Sequence, residues 1–224
     1  MPMQKLVKGI HKFQQGYFSK HRELFENLAE KGQRPETLFI TCSDSRVLPN
    51  LITGAGPGDL FIVRNVGNVV PTAELPGGTA AAIEYAVEVL KVDNIIVCGH
   101  TQCGAMNAIL NPNTMEQLPF VKKWLTQTSR VREIVEEGYG HLSPEARLTA
   151  AVEENVLAQL ENLHDYPFVA SRVKEGTLHV DGWVFDISSG NVFDYDPDDG
   201  EFKALLSEPS SPALDDDEHA STSL

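Results

Sequence analysis

No stretch of this chain approaches the roughly 18 consecutive apolar residues of a membrane-spanning helix. Its first residues, MPMQKLVKGIHKFQQ, lack the apolar centre of a secretory leader. Cysteine is scarce: three in 224 residues, an odd number that builds no disulfide framework and fits a reducing compartment. Basic residues are in deficit. Eighteen Lys and Arg stand against 32 Asp and Glu, a formal charge of −14, which argues against non-specific binding to nucleic acid or an anionic membrane surface. That acidity is local, because ten acidic residues and one lysine lie between Asp194 and Leu224, leaving −9 there and −5 elsewhere. Neither the dinucleotide nor the P-loop glycine pattern is present, and no internal repeat is found. The expectation is a cytoplasmic protein with core enough for one domain.

Hydrophobic periodicity organises what remains. Over residues 3–31, Leu6, Ile10, Phe13, Tyr17, Leu24, Phe25 and Leu28 recur every three or four, which predicts a helical N-terminal arm within 1–35, broken near Gly16. Strands are predicted over 37–42, 60–65 and 94–99. Helices are predicted over 76–90, the second half of HTQCGAMNAIL, 117–137 and 144–175, the last started by Ser143-Pro144. Residues 177–196 alternate around a Ser-Gly-Asn turn and predict a strand pair at a sheet edge. Strands alternating with helices mean an α/β fold with a mainly parallel sheet, whose ligands sit at the carboxyl ends of the strands. The domain is expected over 1–206, and 207–224 (SEPSSPALDDDEHASTSL), with almost no apolar content, reads as a solvated, disordered tail.

Two strand ends carry chemistry. FITCSDSRV places Cys42 at the tip of one strand, and CGHTQCGAM places His100 and Cys103 at another strand-to-helix turn. Two thiolates and one imidazole, with one close pair and one distant cysteine, read as three ligands and an open position rather than a closed structural site. Soft sulfur with imidazole favours zinc over magnesium, calcium or manganese. Two thiolates cancel the charge of Zn²⁺, so such an ion acidifies water less than an all-histidine site. Asp44 and Arg46 follow Cys42 at intervals of two, which in extended chain puts all three on one face. Arg46 would hold Asp44 ionised through a planar fork.

Each of these residues taken alone has a plainer reading: a packed thiol, a satisfied histidine, a loop ion pair. Their meeting at the strand tips of one sheet carries the inference. Cys98, inside its strand, reads as a core thiol that shares a face with His100. A thiol nucleophile, Cys42 with His100 as base, is a rival chemistry. It leaves Cys103 without a role, and C-x-x-x-R is too short for a cysteine-phosphatase anion loop. Gly77-Gly78 before a helix is a weak phosphate signal.

CSDSRV, VRNVGN, GGTAAAIEYAV and GHTQCGAM, in this order and spacing, resemble the β-class carbonic anhydrases of the plant and cyanobacterial branch, over about residues 3–195. The resemblance implies a lyase that reversibly hydrates carbon dioxide to bicarbonate and a proton by attack of zinc-bound hydroxide. It implies one Zn²⁺ per subunit on Cys42, His100 and Cys103, with Asp44 and Arg46 as the dyad that orients the zinc water. Gln33, Phe61 and Tyr85 match pocket-lining positions, with Gln33 or Tyr85 reaching in from a partner subunit, and Val66 completes an apolar wall for the substrate. Phe39 stands where the bicarbonate-inhibited branch has tryptophan, which argues against that branch's anion pocket although Arg64 is retained. The implied fold has an antiparallel edge strand on the parallel sheet and N-terminal helices exchanged in a homodimer or higher homo-oligomer. For the acidic tail, the alternative to a solvated terminus is docking to a scaffold such as a carboxysome shell partner. Two other functions compete: hydrolysis of another small heterocumulene such as carbon disulfide, and a non-catalytic zinc-stabilised scaffold, which would have no use for Asp44, Arg46, Gln33 and Tyr85 together.

Overall fold

Short β-branched and apolar runs form the sheet. The computed structural model describes residues 2–205. Strands β1 (Thr37–Cys42), β2 (Leu60–Asn65), β3 (Asn94–His100), β4 (His179–Phe185), β5 (Val192–Asp196) and β6 (Glu201–Ala204) make one six-stranded sheet, ordered β2-β1-β3-β4-β5-β6. The first four run parallel, and β5 and β6 add an antiparallel edge two strands deep. Strand β1, flanked by β2 and β3, is buried on both faces from Leu38 to Cys42, as parallel sheets require. Leu38, Ile40, Val63, Ile95, Val97 and Val184 join the main core, while Phe39, Ile96 and Cys98 form a second cluster with Trp183 and Phe185. β6, four residues of which three are exposed, has too little apolar signal to be read from sequence.

The helices are α1 (Pro2–Gln15), α2 (Tyr17–Lys20), α3 (Arg22–Lys31), α4 (Pro49–Thr53), α5 (Gly78–Glu84), α6 (Gly104–Leu110), α7 (Pro119–Leu125), α8 (Arg130–Tyr139), α9 (Pro144–His164) and α10 (Pro167–Lys174). Several are pieces of longer predicted ones. The arm breaks at Gly16, where a Cβ would meet the Lys12 carbonyl oxygen at 2.9 Å, and again at His21. Residues 144–175 divide because Pro167 pushes Tyr166 into extended backbone, φ −76° and ψ 118°. Predicted 76–90 is α5 continued by a π-helical turn, Tyr85–Leu90, and 117–137 is interrupted by a 3₁₀ turn at Thr126–Thr128. Ser143 starts α9 as read, its Oγ accepting from the Ala146 N–H at 3.2 Å.

Helix α9 lies directly on β3 and β4. Two glycines permit it: a Cβ at Gly99 would meet Val156 at 2.9 Å, and one at Gly182 would meet Val156 at 2.8 Å and Leu160 at 2.9 Å. The arm is different. Its rings pack on one another, Phe18 and Phe25 with centroids 5.1 Å apart, while Leu6 and Ile10 stay more than half exposed. Among the described residues no helix is long and apolar enough to cross a membrane. The acidic tail 207–224 lies outside the described residues.

Candidate functional site

Parallel pairing of β1 and β3 puts their carboxyl ends on one side, with Thr41 opposite Cys98, so Cys42 and His100 emerge together. After His100 the chain turns through Gln102, a non-glycine residue at φ 56°, and Cys103 becomes the residue before α6. One ligand atom from each of Cys42, His100 and Cys103 lies within 4.8 Å of the others, and all three residues are buried. His100 Nδ1 sits 2.9 Å from the Thr101 carbonyl oxygen, which can only accept, so Nδ1 carries the proton and Nε2 the lone pair. That Nε2 is buried with no hydrogen-bond partner, a costly state for a polar atom. The Cys42 thiol is pulled well below its usual range by the Cys103 hydrogen bond, against burial, with His100 and the Gly67 and Asp44 amides adding to it. The same hydrogen bond, together with burial, pushes Cys103 up. An orphaned imidazole nitrogen facing two sulfurs fits a soft divalent metal.

Asp44 and Arg46 reach the same place by a different route from the extended chain expected. β1 ends at Cys42, and the next residues form a turn in which the Arg46 N–H donates to Asp44 Oδ1 at 3.0 Å. The fork is bidentate: Arg46 Nε donates to Oδ1 at 2.9 Å and Nη2 to Oδ2 at 2.8 Å. Those bonds hold the Asp44 carboxyl well below the usual carboxylate range. Arg46 Nη2 also donates to the Gln102 carbonyl at 3.3 Å, tying the dyad to the His100–Cys103 turn. Asp44 Oδ2 is 3.9 Å from His100 Nε2, so the carboxylate borders the three-donor cluster without joining it.

Sequence reasoning missed several supports. Arg64 donates to the Cys42 carbonyl at 3.1 Å and the Asp44 carbonyl at 2.6 Å, so its guanidinium holds the strand tip. The Gly67 N–H donates to Cys42 Sγ at 3.5 Å. Behind His100, the Thr101 hydroxyl donates to Asp186 Oδ1 at 3.0 Å and accepts from the Ile187 N–H at 3.1 Å, which clamps the carbonyl that orients the imidazole. Asp186 is 85 residues away in sequence, and no motif announces it. Phe39 is fully buried, edge-on to Trp183 with centroids 6.0 Å apart. Cys98 lies with it in the second cluster, its thiol pushed up to about 12 by burial, as befits a core thiol.

The pocket residues separate into two groups within one chain. Val66 adjoins Gly67 at the metal end, its side chain partly exposed and its carbonyl held by Trp124 Nε1 at 2.8 Å. Phe61 and Tyr85 instead pack on each other at a tilt, centroids 6.0 Å apart, with Phe61 in register with Leu38. That is four residues, or about 13 Å, below Cys42 along the strand. Gln33 precedes β1 and lines a cavity of about 430 Å³ with Arg34, Leu90 and Asp93 at the opposite end of the sheet. The chain's own fold does not bring Gln33, Phe61 or Tyr85 to its own Cys42.

Comparison with known proteins bears on the family. The carbonic anhydrase family model matches residues 37–192. A carbonic anhydrase of Synechocystis is 50% identical over 196 residues, covering 87% of this chain and 71% of that protein. One of Pseudomonas aeruginosa is 43% identical over 213 residues, covering 95% and 96%. The solved β-carbonic anhydrase CcaA superposes with a TM-score of 0.88 at 48% identity over 92% of both chains. A tetrameric β-carbonic anhydrase of Sordaria macrospora gives 0.79 at 31% identity over 86% and 96%. With its sheet order, its Cys-His-Cys cluster and these likenesses over most of its length, the chain belongs to the β-carbonic anhydrase family.

Proposed function

We propose that this enzyme interconverts carbon dioxide and bicarbonate with one zinc ion held by Cys42, His100 and Cys103. The observation that carries the proposal is the buried, unpartnered His100 Nε2 facing two cysteine sulfurs beside a fixed carboxylate. When bound, zinc supplies a Lewis acid that acidifies water near neutral pH. The protein's part is orientation. Thr101 fixes the imidazole, and Asp44, kept ionised by Arg46, offers an acceptor that aligns a water molecule through a hydrogen bond. Because Arg46 donates to both Asp44 oxygens, the carboxylate is held at the rim of the three-donor cluster.

A second copy completes the pocket in this reading. Phe61 lies on the edge strand β2 and Tyr85 is partly exposed beside it, so an apposed subunit could receive both, together with Gln33. The exposed apolar residues of the arm, Leu6, Ile10 and Phe13, suit exchange with that subunit. Phe61, Tyr85 and Val66 would then wall a linear non-polar substrate, and Gln33 would donate to the oxygen that gains charge. The test is stopped-flow hydration of carbon dioxide by the reduced, zinc-loaded chain from pH 6.5 to 9, with metal content and mass measured on the same sample. Fast hydration that rises with pH supports the proposal. Zinc-loaded oligomer without hydration at any pH would refute it.

A further inference from the structure

Residues 66–71, between β2 and α5, are neither helix nor strand, yet Gly67 to Pro71 are buried. Buried irregular backbone must find partners for its N–H and C=O groups elsewhere. Here the partners are side chains from several elements. Trp124 Nε1 donates to the Val66 carbonyl at 2.8 Å, Asn155 Nδ2 to the Gly67 carbonyl at 3.0 Å, and Asn162 Nδ2 to the Val70 carbonyl at 2.8 Å. Gln159 Oε1 accepts from the Val70 N–H at 2.8 Å, and the Tyr166 hydroxyl donates to the Pro71 carbonyl at 2.8 Å.

The two amides at the centre are set by each other. Asn155 and Gln159 are 1% and 0% exposed, one turn apart on α9. Asn155 Oδ1 accepts from Thr128 Oγ1 at 2.7 Å and from Gln159 Nε2 at 3.0 Å. With its oxygen so occupied, Asn155 must present Nδ2 to the Gly67 carbonyl. Buried amides are tolerated only when satisfied in this way, and a satisfied network is rigid. The residue it grips, Gly67, has φ 82°, and a Cβ there would meet Ala105 at 3.1 Å. On its other side the Gly67 N–H points at Cys42 Sγ, 3.5 Å away.

We propose that Asn155 and Gln159 are positioning residues for the metal centre: by gripping the 66–71 backbone they keep the Gly67 N–H on the Cys42 sulfur, and so set how much electron density that sulfur gives the metal. This rests on metal binding at Cys42, His100 and Cys103. A hydrogen bond to a ligating sulfur lowers its donor strength, and outer partners of ligands typically change metal affinity about 10–100-fold. Loosening the loop therefore has two separate effects: the sulfur becomes a stronger donor, and the cluster, no longer held on that side, exchanges its metal faster.

Cobalt(II)-loaded protein tests it, since the thiolate-to-cobalt band in the near ultraviolet reports sulfur donor strength whether or not the protein turns over. Asn155→Leu should move that band to lower energy and speed cobalt loss to a chelator by about tenfold or more. Trp124→Phe, which removes the anchor on the Val66 carbonyl, in the same planar peptide unit as the Gly67 N–H, should move both in the same direction. Val131→Ala, a packing defect in α8, should move neither. If Asn155→Leu does not fold, Trp124→Phe decides on the same readouts. An unmoved band with an unchanged loss rate in the folded variants overturns the proposal, as does an equal shift in Val131→Ala. A protein that shows no thiolate-to-cobalt band at all overturns the metal reading beneath it, which is a different result from a band that stays put.

Discussion

Replacing Asp44 by asparagine changes one atom, and the structure says what that atom does. Oδ1 accepts from the Arg46 N–H and Nε at 3.0 and 2.9 Å, and Oδ2 accepts from Arg46 Nη2 at 2.8 Å. An amide in that place sets its NH₂ against an arginine donor in either orientation, so the fork opens and the fixed acceptor 3.9 Å from His100 Nε2 is lost. Loss of the group that orients a reacting molecule costs about 10²-fold in rate, which at ~1.4 kcal/mol per tenfold is about 3 kcal/mol of transition-state stabilisation. Asp44→Asn should therefore lose about 10²-fold or more in kcat for carbon dioxide hydration while keeping its bound metal, because Asp44 is not among the three donors. The assay is stopped-flow hydration with metal analysis of the same preparation. Turnover within about threefold of the unmodified protein would refute the orienting role. Loss of zinc along with turnover would show that the carboxylate helps hold the metal.

Gly182→Ala should cost about 1–3 kcal/mol, because its Cβ meets the stiff Val156 and Leu160. The fall in Tm should be partly reversed in the double variant with Val156→Ala, and additive losses would argue against the contact. Thr101→Val removes the hydroxyl bridging Asp186 and the Ile187 N–H, and should speed zinc loss to a chelator. Thr101→Ser should restore the slow rate, and equal rates for the two variants would dismiss the clamp. Arg46→Met tests the depressed Asp44 carboxyl. A lowered folded pKa gives stability that is present above the ordinary carboxylate pKa and fades as pH falls through the folded value. The Tm gap between parent and variant should be level above about pH 5 and narrow below about pH 4, and a gap that widens with acid would reverse the assignment.

The local signals were legible because each lies within a few residues. β1 and β3 could be read from TLFITC and NIIVCG, whose apolar runs stop at polar strand tips. Cys42, Asp44 and Arg46 fall within five residues and His100 and Cys103 within four, so their types and spacing spoke before any fold was known. Helix breaks were less clear, since Gly16 and Pro167 show in the chain while the 3₁₀ turn at Thr126–Thr128 has no such marker. Even the dyad came together through an Asx turn, where alternation along a strand was expected.

What the sequence by itself determined is the chemistry on offer: two thiols, an imidazole and a carboxylate with its arginine, each at the end of a segment whose apolar pattern makes it a strand. Tertiary structure alone decided how the strand tips are held to the rest of the fold, because those bonds span 20 to 90 residues. Arg64 reaches back to the Cys42 carbonyl, Asp186 to Thr101, and Asn155 to the loop whose N–H touches Cys42 Sγ. It alone placed Phe61 and Tyr85 some four residues down the strand from the metal end, since register follows from pairing and cannot be read from either strand singly.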